Sequence, residues 1–84
     1  MYQILIEKHA EKDLKNLPHD LFNMIIKHIL ALKDNPWPTG VRKIIGSKND
    51  WRIRVGDYRV IYEIDDKAKI VKVFRVKHRK EVYR

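Results

Sequence analysis

The sequence predicts an α+β fold in the order β-α-α-β-β-β-β, with helices laid on one face of a mostly antiparallel four-strand β segment that follows them. Two observations carry this. The spacing of apolar residues is helical as far as Leu30 and alternates with a period of two after Gly40. In the second half, Gly56-Asp57 sits between two alternating runs as a two-residue hairpin turn. At 84 residues the chain is one domain, 1–84, and its 44% hydrophobic content supports a thin but real core.

Tyr2-Gln3-Ile4-Leu5-Ile6-Glu7 reads as a short strand. Ala10, Leu14 and Leu17 then fall on one face of a short helix, which Pro18 ends by disfavouring helical geometry in the residue before it. A longer helix opens at Pro18-His19-Asp20. Leu21, Phe22, Ile25, Ile26, Ile29 and Leu30 form its apolar stripe. The segment from Asn35 to Gly40, with two prolines, is the connection. Val41–Ile45, Trp51–Val55, Tyr58–Ile64 and about Lys69 to Lys77 are the strands, the last pair joined by an acidic turn at Asp65-Asp66-Lys67.

Several classes are excluded by composition. With no cysteine there are no disulfides, thiol catalysis or cysteine-based zinc sites. No apolar run approaches the roughly 18 residues of a membrane span, and the first residues lack the pattern of a secretory signal, so a cytoplasmic protein without a membrane partner is expected. Residues 1–40 hold five basic and five acidic residues, whereas residues 41–84 hold fourteen and six. The whole net charge of +8, and all seven arginines, therefore lie in the second half. Such a one-sided, arginine-weighted field suits a polyanion, either nucleic acid or an acidic protein segment.

The hairpin turn fixes a register pairing Val55 with Tyr58, Arg54 with Arg59, Ile53 with Val60, Arg52 with Ile61 and Trp51 with Tyr62. Alternation then puts Trp51, Ile53, Val55, Tyr58, Val60, Tyr62 and Ile64 on the core face, and Arg52, Arg54 and Arg59 on the other. Opposed arginines cost a few tenths of a kcal/mol, so an anion between them would explain the arrangement better than stability does. A three-residue turn at Asp66–Ala68 would pair Arg59 with Arg75 and Val60 with Phe74. Arg75 and Lys77 would then join the basic face, and Arg79 would continue it if the strand runs on.

No pair of carboxylates is expected on that face, nor a histidine cluster at metal spacing, a phosphate-binding glycine loop or a nucleophilic serine. No metal and no cofactor are called for. Metal-free RNA cleavage remains open to such a groove, because RNA supplies its own nucleophile. The 2′-hydroxyl attacks the adjacent phosphate, leaving a 2′,3′-cyclic phosphate and a free 5′-hydroxyl. The protein must provide a base, cations for the phosphorane and an acid for the departing oxygen. His78 and Tyr83 are the candidates for proton transfer. Each also has a plain structural role open to it: a histidine at a strand end, and a tyrosine anchoring the C-terminus.

The run Arg52-Ile53-Arg54-Val55-Gly56-Asp57-Tyr58-Arg59-Val60-Ile61-Tyr62, followed by His78-Arg79-Lys80-Glu81-Val82-Tyr83-Arg84, resembles the RelE/ParE superfamily of type II toxins, and the RelE branch most. The resemblance covers the whole chain. It implies a RelE-like microbial ribonuclease-type fold and an mRNA interferase that cuts messages in the ribosomal A site by the metal-free route. It implies that Arg59 holds the scissile phosphate, that Arg52 stands where other members carry a catalytic lysine, and that Arg54 continues the same edge. Lys77 or Arg79 would stabilise the transition state, His78 would act as acid or base, and Tyr83 would stack on or activate the substrate. A second lysine of the family aligns with Asp50, and Lys48 is nearby but offset. The resemblance further implies a cognate, RelB-like antitoxin whose acidic or amphipathic segment covers the toxin, with operator DNA bound only through that antitoxin. The alternative is a ParE-like toxin that inhibits DNA gyrase by binding, without cutting RNA.

Overall fold

A computed structural model describes residues 1–82. In chain order it contains β1 (Gln3–Ile6), α1 (Lys8–Lys15), α2 (His19–Ala31), β2 (Arg42–Lys43), β3 (Asp50–Val55), β4 (Tyr58–Asp65), β5 (Ile70–His78) and a single turn of helix, α3 (Arg79–Val82). The strands form one sheet in the order β1-β5-β4-β3-β2. Only the β1–β5 pair is parallel, so the sheet is mixed. None of the helices among the described residues is long and apolar enough to cross a membrane.

The core forms where helix and strand periodicities point the same way. Ala10 and Leu14 of α1, Ile25 and Ile29 of α2, and Leu32 just beyond it are buried against Ile53, Val55, Val60, Tyr62, Ile64, Val71, Val73 and Val76 of the sheet. Trp51 and Tyr58 pack on the same cluster, so all seven residues expected on the inner face of the hairpin lie there. Leu30 departs from the expected stripe. It lies one step round the helix from Ile29 and is 50% exposed. The largest fully buried side chain, Tyr62, keeps its hydroxyl satisfied by donating to the Pro36 carbonyl oxygen at 2.8 Å. Burial pushes its phenol well above the ordinary tyrosine range. This bond pins the α2–β2 connection to the core. Tyr62→Phe is expected to lower stability by about 1–2 kcal/mol, since the Pro36 carbonyl loses its partner, as denaturant unfolding would measure.

The hairpin register agrees pair for pair with the alternation in the sequence: Arg54 opposes Arg59 and Trp51 opposes Tyr62. Its turn depends on Gly56, whose φ is 60° while that of Asp57 is not positive, the φ signs of a II′ turn. A β-carbon on Gly56 would meet only the Met24 methyl at 3.5 Å, an ordinary contact. The cost of Gly56→Ala is therefore conformational, and a loss of about 1 kcal/mol in thermal unfolding is expected.

The β4–β5 register differs from the expected one. The turn has four residues rather than three, because Asp65 pairs with Ile70 and Lys69 takes the left-handed conformation at φ 57°. A bulge at Phe74 then shifts the ladder again, so Val60 opposes Val76 and Arg59 opposes Lys77. Two shifts of one residue restore the parity, so Arg75 and Lys77 still belong to the face of Arg59. The strand does not continue through Arg79. It ends at His78, and Arg79 starts α3 with its backbone N–H on the Asp57 carbonyl oxygen at 2.7 Å.

α1 protects the part of β5 that β1 leaves unpaired. The β1 ladder reaches only Val73, and beyond it the Val76 N–H donates to Asp13 Oδ2 of α1 at 2.9 Å. The Arg75 guanidinium grips the same carboxylate, with Nε on Oδ2 at 2.8 Å and Nη2 on Oδ1 at 3.2 Å. A side chain thus occupies an edge that would otherwise be open to another strand.

Candidate nucleic-acid interface

The solvent face of the hairpin gathers four arginines into one concavity. A pocket of about 330 Å³ is lined by Gly40, Arg42, Arg52, Arg54 and Arg59. Strand pairing dictates the gathering: Arg42 of β2 opposes Arg52 of β3, Arg54 of β3 opposes Arg59 of β4, and Arg59 opposes Lys77 of β5. Cross-strand partners stand roughly 4.5–5.5 Å apart at their β-carbons, close enough for like charges to repel.

Arg59 is the most informative member. It is 8% exposed, the one charged side chain buried among the described residues. Its hydrogen bond there is a long one, from Nη1 to the Tyr58 carbonyl oxygen at 3.4 Å. None of Arg42, Arg52, Arg54, Arg59 and Lys77 forms an ion pair among the described residues. Burying a cation without a counter-charge is costly, and three more cations around it add to the cost. An anion entering the pocket removes that penalty. The planar guanidinium also presents paired donors to two oxygens of a phosphate at once. Arg54 is held toward the turn, its Nε donating to the Gly56 carbonyl oxygen at 3.1 Å.

Arg42 also lines this pocket, although nothing in the hairpin's alternation marks it. The signal was present in the proline-and-glycine connection that ends at Gly40 and returns the chain antiparallel to β3. Other expected members stand elsewhere. Arg75 shares the face but is turned to Asp13. Arg79 lies in α3, 4.0 Å from Asp57. Lys48 is on the loop between β2 and β3 and does not line the pocket. Tyr83 lies outside the described residues.

His78 pairs with Tyr58, which puts it on the helix-bearing side of the sheet and not beside Arg59. Its ring meets Tyr58 edge-on with 5.2 Å between centroids. Its Nδ1 accepts from the Lys80 N–H at 3.2 Å, while the Glu81 side chain accepts from the His78 N–H at 3.3 Å. The ring thus caps the second N–H of α3 while Glu81 reaches back to the His78 N–H, so His78 has a structural task here.

The absence of a carboxylate pair is also corrected. β3 starts one residue earlier than expected, and Asp50 directly opposes Glu63 on the arginine-bearing face. The pair lies four residues from the Arg54–Arg59 level, roughly 13 Å along the strands. The face is therefore graded, purely basic toward the Gly56 turn and mixed at the other end, where Lys72 stands opposite Glu63.

A strand, two helices and a mixed sheet carrying an unpaired arginine pocket define a small basic α+β domain built to meet an anion. The chain matches, over residues 4–83, the family described as ParE toxin of type II toxin-antitoxin system, parDE. Toxin RelE3 of Methanocaldococcus jannaschii is 34% identical over 85 residues, covering 96% of this chain and 94% of the relative. Toxin RelG of Mycobacterium tuberculosis is 30% identical, covering 99% of this chain and 97% of the relative. The archaeal RelE of the RelE-RelB complex from Pyrococcus horikoshii superposes with a TM-score of 0.83 at 32% identity, covering 93% of this chain and 94% of that one. The protein belongs to the ParE toxin family of type II toxin–antitoxin systems, within the RelE-like superfamily.

Proposed function

We propose that this chain is a ribosome-dependent endoribonuclease that cleaves mRNA in the A site by 2′-hydroxyl attack, without a catalytic metal, and so blocks translation. The observation that supports it most is the buried Arg59 without a counter-anion, at the centre of the arginine pocket. In this reading the scissile phosphate lies against Arg59. As the 2′-oxygen bonds to phosphorus, charge grows on the two non-bridging oxygens. Arg52 and Arg54 from the neighbouring strand, with Lys77 from the other side, meet it there. Arg42 holds the adjoining backbone.

The proton steps need other groups. Since the His78 ring faces away from Arg59 and its Nδ1 already accepts a hydrogen bond, this reading gives the leaving 5′-oxygen its proton from Tyr83, while the attacking 2′-hydroxyl loses its proton to solvent. Tyr83→Phe is then expected to slow cleavage by roughly 10²–10⁴-fold in single-turnover reactions on programmed ribosomes. An unchanged rate would leave only a stacking role.

The reading includes a cognate, RelB-like antitoxin, as in the Pyrococcus horikoshii RelE-RelB complex. Its acidic or amphipathic segment would meet the second half of the chain, which holds the whole net charge. Binding of a folded partner would also stabilise a domain this small.

The test adds the purified protein to ribosomes stalled on an end-labelled message. Cuts confined to the A-site codon, ending in 2′,3′-cyclic phosphate, are the expected result. An intact message together with inhibited gyrase supercoiling would sink the nuclease reading. It would then favour the alternative, a toxin that inhibits gyrase by binding.

A further inference from the structure

Beside the arginine pocket, the same face of the sheet carries two apolar side chains that the core does not use. Ile61 follows Arg59 by two residues on β4 and so shares its face. It is half-buried, and it is not among the described residues that pack against the core. Phe74 of β5 is half-buried and outside the core in the same way. The bulge puts it there. Tyr62 pairs with Val73 and Ile61 with Arg75, which leaves Phe74 between them without a cross-strand partner. Val73 and Val76 both belong to the core. Alternation from Val73 turns Phe74 outward, and alternation from Val76 turns Arg75 outward too, so two consecutive side chains leave by one face. Arg75 is drawn to Asp13 at the β5 edge. Phe74 remains as the neighbour of Ile61 across the two strands.

The charges around this apolar pair are one-sided. Toward the Gly56 turn stand Arg59 on the same strand, Arg52 opposite Ile61, and Lys77 on β5 opposite Arg59. None of these three forms an ion pair among the described residues. In the other direction Lys72 opposes Glu63, Glu63 opposes Asp50, and Lys72 also lies 3.9 Å from Glu7, so positive charge has no surplus there. An anion is therefore favoured at one end of the apolar pair and not at the other.

We infer that Phe74 and Ile61 form the platform for one nucleobase flanking the scissile phosphate, the base stacked on the Phe74 ring while the phosphate lies against Arg59. The inference rests on the ribonuclease reading above and adds to it the group that holds the base. Two residues along a strand span about 7 Å, which is the order of the reach from a backbone phosphate across its ribose to the base. A nucleotide thus brings an anion and a planar face in one ligand, at the separation that Arg59 and the apolar pair offer. Stacking on an aromatic side chain within a basic groove is also a general means of holding single-stranded RNA, and it tolerates any base. An acidic protein segment would meet the cations but would gain only ordinary apolar contact from the ring.

The chain has two phenylalanines, so isotope labelling of that residue gives the NMR ring signals of Phe74 and, as an internal control, of Phe22, which packs against the core. The full chain is titrated with a 2′-O-methylated diadenosine monophosphate, which lacks the attacking hydroxyl, with its abasic analogue, and with acetyl-Glu-Leu-Glu amide. The dinucleotide should shift the Phe74 signals saturably and leave Phe22 in place, and the abasic analogue should bind roughly tenfold more weakly for want of stacking. Phe74→Leu, which stays apolar but loses the ring, should cost about the same factor, whereas Phe74→Tyr should keep the affinity. The Phe22 signals report whether each variant is folded. Equal affinity for the abasic analogue, or undiminished binding by Phe74→Leu, would overturn the platform. Tighter binding of the acidic peptide at Phe74 would overturn it as well and give the face to a protein segment. The side-chain N–H signal of Arg59 separates the two levels of the argument. If it shifts equally with and without bases, the pocket keeps its anion and only the platform falls; no shift at either residue would sink both.

Discussion

Arg59→Leu is expected to leave a protein at least as stable as the parent and without translation arrest. The two halves of that result share one cause. The Arg59 guanidinium is buried, short of hydrogen bonds and unpaired with any carboxylate among the described residues, so the fold bears its desolvation without Coulombic return. Replacing even a buried ion pair with packed apolar side chains is often neutral or stabilising by about 1–4 kcal/mol, and Arg59 has no carboxylate partner to lose. Relief of the Arg54–Arg59 repulsion adds a few tenths. Cleavage, by contrast, loses the donor nearest the developing phosphorane charge, and a fall of at least about 10²–10³-fold is expected. Thermal melts in increasing sulfate provide the link between the halves. The parent should gain stability as the anion fills the pocket, and the variant should gain much less. A variant that melts well below the parent would mean that Arg59 is structural after all, and retained arrest would remove it from the site.

That contrast also shows why the site was more legible than the strand beside it. The Gly56-Asp57 turn fixes the β3–β4 register locally, since φ 60° at its first position is open to glycine and costly for other residues. Every face assignment from Trp51 to Ile64 follows by alternation. The β4–β5 turn carries no such mark. Lys69 adopts φ 57° without being a glycine, held by Asp66 and the face of Tyr2, one contact lying within a turn not yet placed and the other spanning 67 positions of sequence. The Phe74 bulge has no local signature either. Arg75 and Lys77 reached the expected face only because these two shifts cancel in parity.

Charge alone could not separate the arginines that form the pocket from those that serve the fold. Arg75 and Lys77 look alike in the sequence, two residues apart on one strand. One is claimed by Asp13, 62 positions earlier, and the other is left beside Arg59. Arg42 shows the converse. It joins the pocket through a two-residue strand whose pairing depends on where the connection from α2 lands. His78 is a third case, since its capping bonds require a helix of one turn that no periodicity reveals.

Asp13→Asn should be the most damaging change of a charged side chain on the helical side, and acid should erase its effect. The carboxylate of α1 joins three donors of β5: Arg75 Nε, Arg75 Nη2 and the Val76 N–H. Partial burial pushes its pKa up, but the hydrogen bonds from Arg75 and Val76 and the charges of Arg75 and Lys77 push it down further. The carboxyl therefore sits below its ordinary value. A group depressed in the folded state stabilises above its unfolded pKa of about 3.9, and that stabilisation is lost as pH falls through the folded value. At pH 7 the asparagine variant keeps one acceptor and loses the charge-assisted pair, a cost of about 1–3 kcal/mol, or on the order of 10 °C in melting temperature for a domain of this size. Melts of the two proteins should converge as pH falls from the unfolded value of about 3.9 through the lower folded one, where Asp13 itself becomes protonated. A gap that stays constant with pH would show that the ionised carboxylate is not what secures the β5 edge. In the variant Arg75 is released onto the basic face, so sulfate affinity should hold or rise while stability falls, which separates this lesion from any direct loss of the arginine pocket.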